Sequence, residues 1–354
     1  MTTLSTLVAG SLLLSGCVTA EKTDDLAASM GDASPVATAD STNPAGMVLP
    51  YGEITDMELT ADVVAIRSGD TLNFYNATAL ADLSSPDTAG KTTAANELAA
   101  AQLHSETLAS ECADITAFAG TFVAACENKI YFFPADDPSN VSSLELADRA
   151  TTAVLLSTGE LITAADDNTT LRVIKDWEAG SDDYKVSEIT TEKPTDQLLA
   201  SSLEGAPDRV VRINRENTII QDIHWADQEA GGILRMGKGV GQIASGPQGM
   251  ILAADSIGNQ TGLYSTDEVI RLHQLSPVAG HPWDAAWDSA NEWAWVSATE
   301  AGVLNGYDIS RGTFVEQASF DAIADAQNFV ITNDGVIVAG SASGGGLQVI
   351  AQKS

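Results

Sequence analysis

Apolar residues recur along most of the chain in short runs that are separated by polar turns. One unit repeats: an apolar strand, a tight turn, a second apolar strand, a polar turn and a third strand, as in residues 54–75 and 151–174. Short runs rich in β-branched and aromatic residues, bounded by Gly, Asn or Asp, are typical of β-strands. The pattern therefore predicts a succession of antiparallel strands.

Seven copies of this unit follow one another, and each can be located by its first turn. These turns fall near Ala61, Gly120, Thr158, Ala206, Gln248, Ala290 and Asp334. After a first interval of 59 residues, the intervals are 38 to 48 residues, close to the roughly 40–50 residues of one propeller blade. A β-sandwich also has strands at short intervals but does not explain a repeat of this length. The sequence predicts an all-β fold, a seven-bladed β-propeller over residues 48–354.

The copies are similar to WD40 and YVTN-like propeller repeats, most plainly in residues 166–173. There a polar turn (Asp-Asp-Asn) leads into an alternating third strand. No copy carries the Trp-Asp dipeptide at the end of that strand. The resemblance implies the architecture and no particular activity.

Two departures from the regular repeat have structural explanations. Residues 80–105 are rich in alanine, and an insertion there, with a short helix, accounts for the long first interval. The seventh copy ends after its third strand, residues 347–350. We expect residues 47–51 to supply the missing outer strand, because such closure removes exposed sheet edges.

The amino terminus carries a different signal. Residues 4–14 are uncharged and too short for the roughly 20 residues of a membrane span, and the following Leu14-Ser15-Gly16-Cys17 is similar to the lipobox of bacterial lipoproteins. The resemblance implies that residues 1–16 are a cleaved signal peptide and that Cys17 is acylated, for example with palmitate. The chain would then be anchored to the cell membrane on its extracytoplasmic side. The alternative is an ordinary cleaved signal peptide in which Cys17 has no such role.

Residues 17–47 are polar, small and free of aromatic side chains. This composition predicts a flexible linker, which we expect to join the propeller beside its closing blade.

The formal net charge is −32, because 49 acidic residues face only 17 basic ones. Such a chain is repelled by nucleic acid and by anionic lipid, and it lacks the basic surface that their binding requires. We therefore expect no nucleic-acid partner.

Two further cysteines, Cys112 and Cys126, form an even pair in a chain predicted to be exported, which favours a disulfide. A three-residue loop at 118–120 would place them opposite each other on neighbouring strands. A two-residue turn would instead place Cys112 opposite Glu127. Two thiols without a nearby His or third Cys predict no metal site.

Familiar catalytic motifs are absent from the sequence, and no cofactor or catalytic residue is predicted. The glycine-rich residues 239–244 lead into a strand rather than a helix, so we interpret them as a turn between blades. The four histidines are far apart and show no helical pairing.

An aromatic segment, residues 281–295, contains four of the six tryptophans. Alternation puts Trp283 and Trp287 on one face of a strand, and Trp293 and Trp295 on one face of the next. With His281 they form a candidate binding surface for a protein or a sugar. The alternative is packing between blades.

Basic residues are concentrated at residues 209–215. Arg209 and Arg215 share a strand face if the strand is regular, and Arg212 points the other way. The pair could contact an anionic partner or neutralise nearby acidic turns.

These features favour a non-enzymatic, lipid-anchored binding or scaffold protein whose partner is a protein or an envelope polymer. The alternative is a propeller enzyme, either a metal-dependent lactonase-like hydrolase or a quinoprotein dehydrogenase. Three or more Asp, Glu, His or Asn side chains converging on the channel would favour the enzyme. A dry, apolar channel with exposed tryptophans would favour binding.

Overall fold

The computed structural model describes residues 30–38, 43–84 and 91–352, so the predicted signal peptide and Cys17 lie outside the described residues. The described chain forms seven antiparallel sheets. The predicted all-β, seven-bladed propeller is confirmed.

The strands of the first four blades are as follows. Blade 1 contains β2 (Asp56–Thr60), β3 (Val63–Ser68), β4 (Thr71–Asn76) and β5 (Gln102–Thr107). Blade 2 contains β6 (Cys112–Phe118), β7 (Thr121–Pro134) and β8 (Ser142–Ala150). Blade 3 contains β9 (Thr152–Leu155), β10 (Leu161–Ala164), β11 (Thr170–Lys175) and β12 (Lys185–Thr190). Blade 4 contains β13 (Gln197–Ser201), β14 (Arg209–Asn214), β15 (Ile219–His224) and β16 (Glu229–Arg235).

Three more blades complete the ring. Blade 5 contains β17 (Val240–Ser245), β18 (Met250–Asp255), β19 (Gln260–Ser265) and β20 (Arg271–Pro277). Blade 6 contains β21 (Pro282–Asp288), β22 (Trp293–Ala298), β23 (Val303–Asp308) and β24 (Val315–Asp321). Blade 7 contains β25 (Ala326–Ile331), β26 (Ile337–Ser341), β27 (Leu347–Ile350) and, as its outer strand, β1 (Met47–Leu49).

The first strand of each blade's own repeat is its inner strand, and the seven inner strands pack side by side in a closed ring around a central channel. The core lies between blades: Val63 and Phe74 of blade 1 pack against Ile115 and Phe122 of blade 2. A middle strand has a neighbouring blade on each side and is therefore buried on both faces, as in β3. Outer strands such as β24 alternate between exposed and partly buried residues.

Blade 2 has one long strand where other blades have two. The fourteen-residue β7 contains Glu127 at a φ of 56°. Its first half pairs with β6 and its second half with β8. The two halves therefore act as the two middle strands of this blade.

Ring closure follows the prediction. Residues 47–49 pair antiparallel with β27, with Met47 opposite Val349 and Leu49 opposite Leu347. Leu49 and Leu347 are fully buried. An amino-terminal strand thus completes the blade formed by the carboxyl terminus.

The predicted insertion contains two helices, α1 (Ala77–Asp82) and α2 (Lys91–Ala101), between β4 and β5. Leu80 and Leu98 from these helices pack with Leu49 of the closing strand. The insertion therefore covers the junction of blades 1 and 7. No helix among the described residues has the length and apolarity needed to cross a bilayer.

The hairpin of blade 2 turns in two residues. Phe118 pairs with Thr121, and Ala119 and Gly120 between them both have positive φ, 47° and 84°. Positive φ at both central residues suits the right-handed twist of a hairpin. Of the two turns considered, the two-residue turn forms and the three-residue loop does not.

The disulfide between Cys112 and Cys126 forms nevertheless. With a two-residue turn and regular pairing, Cys112 would lie opposite Glu127. A β-bulge between Cys112 and Asp114 shifts the register by one residue and puts Cys112 opposite Cys126. A bulge places two residues of one strand opposite a single partner, which gives this shift.

The described part of the predicted linker (residues 17–47) is not a free tether. Residues 30–38, here named the strap, lie on the propeller. The Gly31 N–H donates to the carbonyl of Lys238 (2.8 Å) in the loop before β17, and Thr38 bonds the loop before β25. The described chain therefore reaches the propeller first at blades 4 and 5, not beside the closing blade.

Candidate functional site

A ring of polar side chains surrounds the channel, with one from each blade. In each blade the inner strand ends at a residue that pairs across the first hairpin turn, and the ring residue lies four positions before it. The seven are Asp56, Asp114, Thr152, Gln197, Gln242, Asp284 and Asn328. We name this set the polar ring.

Members of the polar ring join neighbouring blades by hydrogen bonds. The Ile115 N–H donates to Asp56 Oδ2 (2.9 Å), and the Phe329 N–H donates to Asp284 Oδ2 (3.0 Å). In both pairs the donor is the residue directly after the polar-ring residue of the next blade: Ile115 follows Asp114, and Phe329 follows Asn328. The same relation holds between the Ile243 N–H and Gln197 Oε1 (3.1 Å) and between the Leu198 N–H and Thr152 Oγ1 (3.2 Å). The ring thus satisfies backbone groups that the inner edges of the sheets leave unpaired.

A cavity of about 550 Å³ occupies the channel and is lined by residues from all seven blades. Its lining is strongly acidic, because six carboxylates and a single basic side chain, Arg215, border it. The six carboxylates are Asp56, Glu58, Asp114, Asp166, Asp196 and Asp284. The volume is in the range of small-molecule sites.

Burial changes the protonation of these carboxylates. It raises the pKa of Asp56 to about 6, that of Asp284 to about 7 and that of Asp114 to about 8, and neighbouring carboxylates add to the rise for Asp114 and Asp284. The pKa of Glu58 is raised well above its ordinary value, first by burial and then by the charges of Asp56, Asp114 and Asp284. Burial and like-charge repulsion both disfavour the ionised form.

The carboxylates at the channel differ in how many of their oxygens accept hydrogen bonds from the protein. Asp284 accepts from Ala285 N–H with Oδ1 (2.8 Å) and from Phe329 N–H with Oδ2. Asp114 accepts from Thr152 Oγ1–H through Oδ2 alone (2.6 Å). Glu58 lies two residues after Asp56 on β2 and therefore on the same face of the strand. At this level of the channel the other blades contribute mainly apolar lining residues. Asp114 and Glu58 therefore offer the acceptors that a ligand can use.

Arg215 and Trp283 meet at the channel wall. Arg215 donates from Nε to Gly241 O (3.1 Å) and from Nη2 to Gln242 Oε1 (3.0 Å), and its guanidinium carbon lies 5.8 Å from the centre of the Trp283 ring. Burial lowers the pKa of Arg215. The guanidinium is thus held by the protein on the blade 4–5 side.

Polar side chains converging on the channel match the feature that we expected of a propeller enzyme, and the channel is not the dry, apolar one expected of a binding protein. Among the described residues, however, no three His, Cys, Asp or Glu side chains are grouped closely enough to hold a metal ion.

The predicted tryptophan surface is divided by the fold. Trp295 is fully buried and stacks on Phe320, with ring centres 5.7 Å apart. Trp293 is partly buried beside it. Trp283, 8% exposed, and the partly buried Trp287 line the channel. The four rings do not form one external surface.

Arg209, Arg215 and His281 do not share a site either. Arg209 begins β14 and donates from Nη2 to Asp267 O (2.6 Å), whereas Arg215 lies just beyond the other end of that strand. His281 lies before β21, with Nε2 3.6 Å from a Glu300 carboxylate oxygen. Arg212, which was expected on the strand face opposite Arg209 and Arg215, is fully buried.

The acidic residues of the polar ring are not among the site residues predicted from the sequence. The signal exists, because aligning the seven copies on their first hairpin turns brings Asp56, Asp114 and Asp284 into one column. Single-sequence motifs do not show it, since these residues are 58 and 170 positions apart.

Comparison with solved structures shows the fold. The β-propeller domain of Myceliophteria thermophila Cps50 (Swd1) is similar, with a TM-score of 0.64 and 9% identity over 87% of this chain and 98% of that one. Kuenenia stuttgartiensis hydrazine synthase is also similar, with a TM-score of 0.59 and 10% identity over 89% of this chain and 98% of that one. One of these is named as an enzyme and the other as a propeller domain, so the likeness extends to architecture alone.

No protein-family model and no curated protein matches the sequence. The chain is thus a seven-bladed β-propeller with an acidic channel.

Proposed function

We propose that this protein is a lipid-anchored binding protein of the cell envelope, and that its central channel binds a small organic cation such as an amine. The export and the anchor rest on the Leu14–Cys17 segment. The ligand class rests on the channel.

The observation that carries the proposal is the imbalance of acidic and basic groups in the cavity: six carboxyl groups and one guanidinium line about 550 Å³. A bound cation favours ionisation of the carboxyl groups that burial tends to keep protonated. Burial and mutual repulsion raise the pKa of Asp114, Asp284 and Glu58. A cation in the cavity relieves both effects, because it compensates the lost hydration and screens the carboxylates from one another. A neutral polar ligand relieves neither.

The geometry of the wall suits an amine. Asp114 Oδ1 and the Glu58 carboxylate can accept its N–H groups, while Trp283 and Trp287 offer apolar surface for its carbon chain. Hydrogen bonds between charged groups in a partly desolvated site are stronger than neutral ones. The protein or envelope-polymer partner expected from the sequence remains a prediction for the outer surface.

Isothermal titration calorimetry with putrescine tests the proposal, and 1,4-butanediol is the matched neutral ligand. We expect putrescine to bind and butanediol not to bind. Glu58→Gln and Asp114→Asn should each weaken putrescine about tenfold to a hundredfold, since one charge-assisted hydrogen bond contributes about 1.5–3 kcal/mol. Asp136→Asn, on the exposed surface, should leave the affinity unchanged. Equal binding of the two ligands, or unchanged affinity in both channel variants, would refute the cationic ligand.

A further inference from the structure

The strap crosses the mouth of the channel, the end at which the inner strands begin. Near its start, Asp32 N–H donates to Arg215 O (3.0 Å), in the loop between β14 and β15. Near its end, Thr38 Oγ1–H donates to Thr299 O (2.9 Å) in blade 6 and accepts from Asp325 N–H (2.8 Å) before blade 7. The strap therefore runs from blades 4 and 5 to blades 6 and 7.

The middle of the strap forms part of the cavity wall. Ala33, Ser34 and Pro35 line the cavity together with six of the seven polar-ring residues, all except Thr152, and Ala33 is buried. The three residues place small side chains toward an otherwise acidic chamber. The strap thus covers part of the entrance to the candidate site.

The attachment of the strap is local and limited. Gly31 and Asp32 bond at one end and Thr38 bonds at the other, through a handful of hydrogen bonds. A segment held by few contacts detaches at a lower free-energy cost than the unfolding of the blades beneath it.

We propose that the strap is a lid that opens and closes the mouth of the channel and so sets how fast small molecules enter and leave. The proposal deepens the proposed function, because it concerns access to the same cavity. The closed form is the one described by the structure.

Gly31 offers a way to open the lid without touching the channel wall. Its φ is +86°, and a Cβ added there would lie 2.1 Å from Glu216 O, a backbone atom. Gly31→Ala therefore cannot keep the closed arrangement. Gly159→Ala is the matched control, since Gly159 has φ +95° with no atom within 4 Å of an added Cβ. Both variants bear the cost of a positive φ, and only the first collides with the mouth.

The first measurement needs no ligand. Asn328→Cys puts a thiol at the polar ring, and its reaction with a neutral methanethiosulfonate reagent reports access to the channel. We expect Gly31→Ala to accelerate the reaction at least about tenfold, because a destabilisation of about 1.4 kcal/mol changes the open population tenfold. Gly159→Ala should leave the rate unchanged. An equal rate in the two variants would show that the strap does not gate the channel.

The second measurement separates the lid from the ligand. Stopped-flow fluorescence of the tryptophans with putrescine gives the association and dissociation rates, and both should rise in Gly31→Ala. Faster thiol labelling without putrescine binding would support the lid and refute the cationic ligand. Putrescine binding with unchanged labelling would support the ligand and refute the lid.

Discussion

Replacing Asp114 by Asn should make the protein more stable than the wild type at alkaline pH. Burial, followed by the charge of Asp56, raises the pKa of Asp114 from 3.8 to about 8 in the folded protein. The folded state then holds this proton more tightly than the unfolded state. Its contribution to stability is complete below about pH 4 and is lost as the pH rises through about 8. An amide cannot ionise and escapes that loss.

The size of the effect follows from the displacement of the pKa. At about 1.4 kcal/mol per pH unit, the change from 3.8 to about 8 sets an upper limit of about 6 kcal/mol. Asp114 lines the cavity, is not fully buried and interacts with several other carboxylates. We therefore expect the stability advantage of Asp114→Asn over the wild type to grow by about 2 kcal/mol between pH 5 and pH 9. Asn keeps an oxygen for the Thr152 Oγ1–H, which donates to Asp114 over 2.6 Å. The fold should therefore tolerate the change.

Urea unfolding of both proteins at pH 5, 7 and 9 measures the difference in the free energy of unfolding. The difference should be small at pH 5 and grow steadily towards pH 9. Asp136→Asn, which removes an exposed carboxylate, controls for the change in net charge. A difference that is the same at all three pH values would refute the argument that burial in the channel opposes ionisation of Asp114.

Three further results are expected. Replacing Cys112 and Cys126 together by Ser should lower the free energy of unfolding by about 3 kcal/mol, because the disulfide closes a loop of about 15 residues; an unchanged urea midpoint would argue against that contribution. Trp295→Ala should lower the stability by about 3–5 kcal/mol, since the ring is fully buried; a loss below 1 kcal/mol would contradict this packing. Cys17→Ala should move the full chain from the membrane pellet to the soluble fraction of fractionated cells, and a protein that still pellets would overturn the lipid anchor.

The number and order of the blades were predicted from local sequence patterns. A turn such as Ala61–Asp62 is recognised from the residues on either side of it, and the repeat length then gives the number of blades. Residues 47–51 were assigned to the last blade because the seventh copy lacks an outer strand. Each of these inferences uses neighbours in sequence or a simple count of strands.

The disulfide shows a limit of local sequence patterns. Cys112 and Cys126 were paired correctly, but the three-residue loop that would align them does not form. A two-residue turn and a β-bulge at Ala113 together give the same register as a three-residue loop. The hydrophobic pattern does not distinguish the two, because both leave the same cysteines opposite each other.

The tryptophans show a second limit. Alternation correctly places Trp283 and Trp287 on the same side of β21, yet it does not say what that side faces. In a propeller the two faces of an inner strand meet the neighbouring blades and its edge meets the channel. The surroundings of Trp283 therefore depend on blades 4 and 5 as well as on its own.

The sequence by itself determined the blade number, the closing strand, the disulfide partners and the acidic composition, because strand periodicity and turn chemistry act over a few residues. Only the tertiary structure decided that Asp56, Asp114 and Asp284 meet in one cavity and that the strap lies across its mouth. Thr38 and Asp325, which hold the strap, are 287 residues apart. Contacts of that kind arise when the ring closes, and no local pattern contains them.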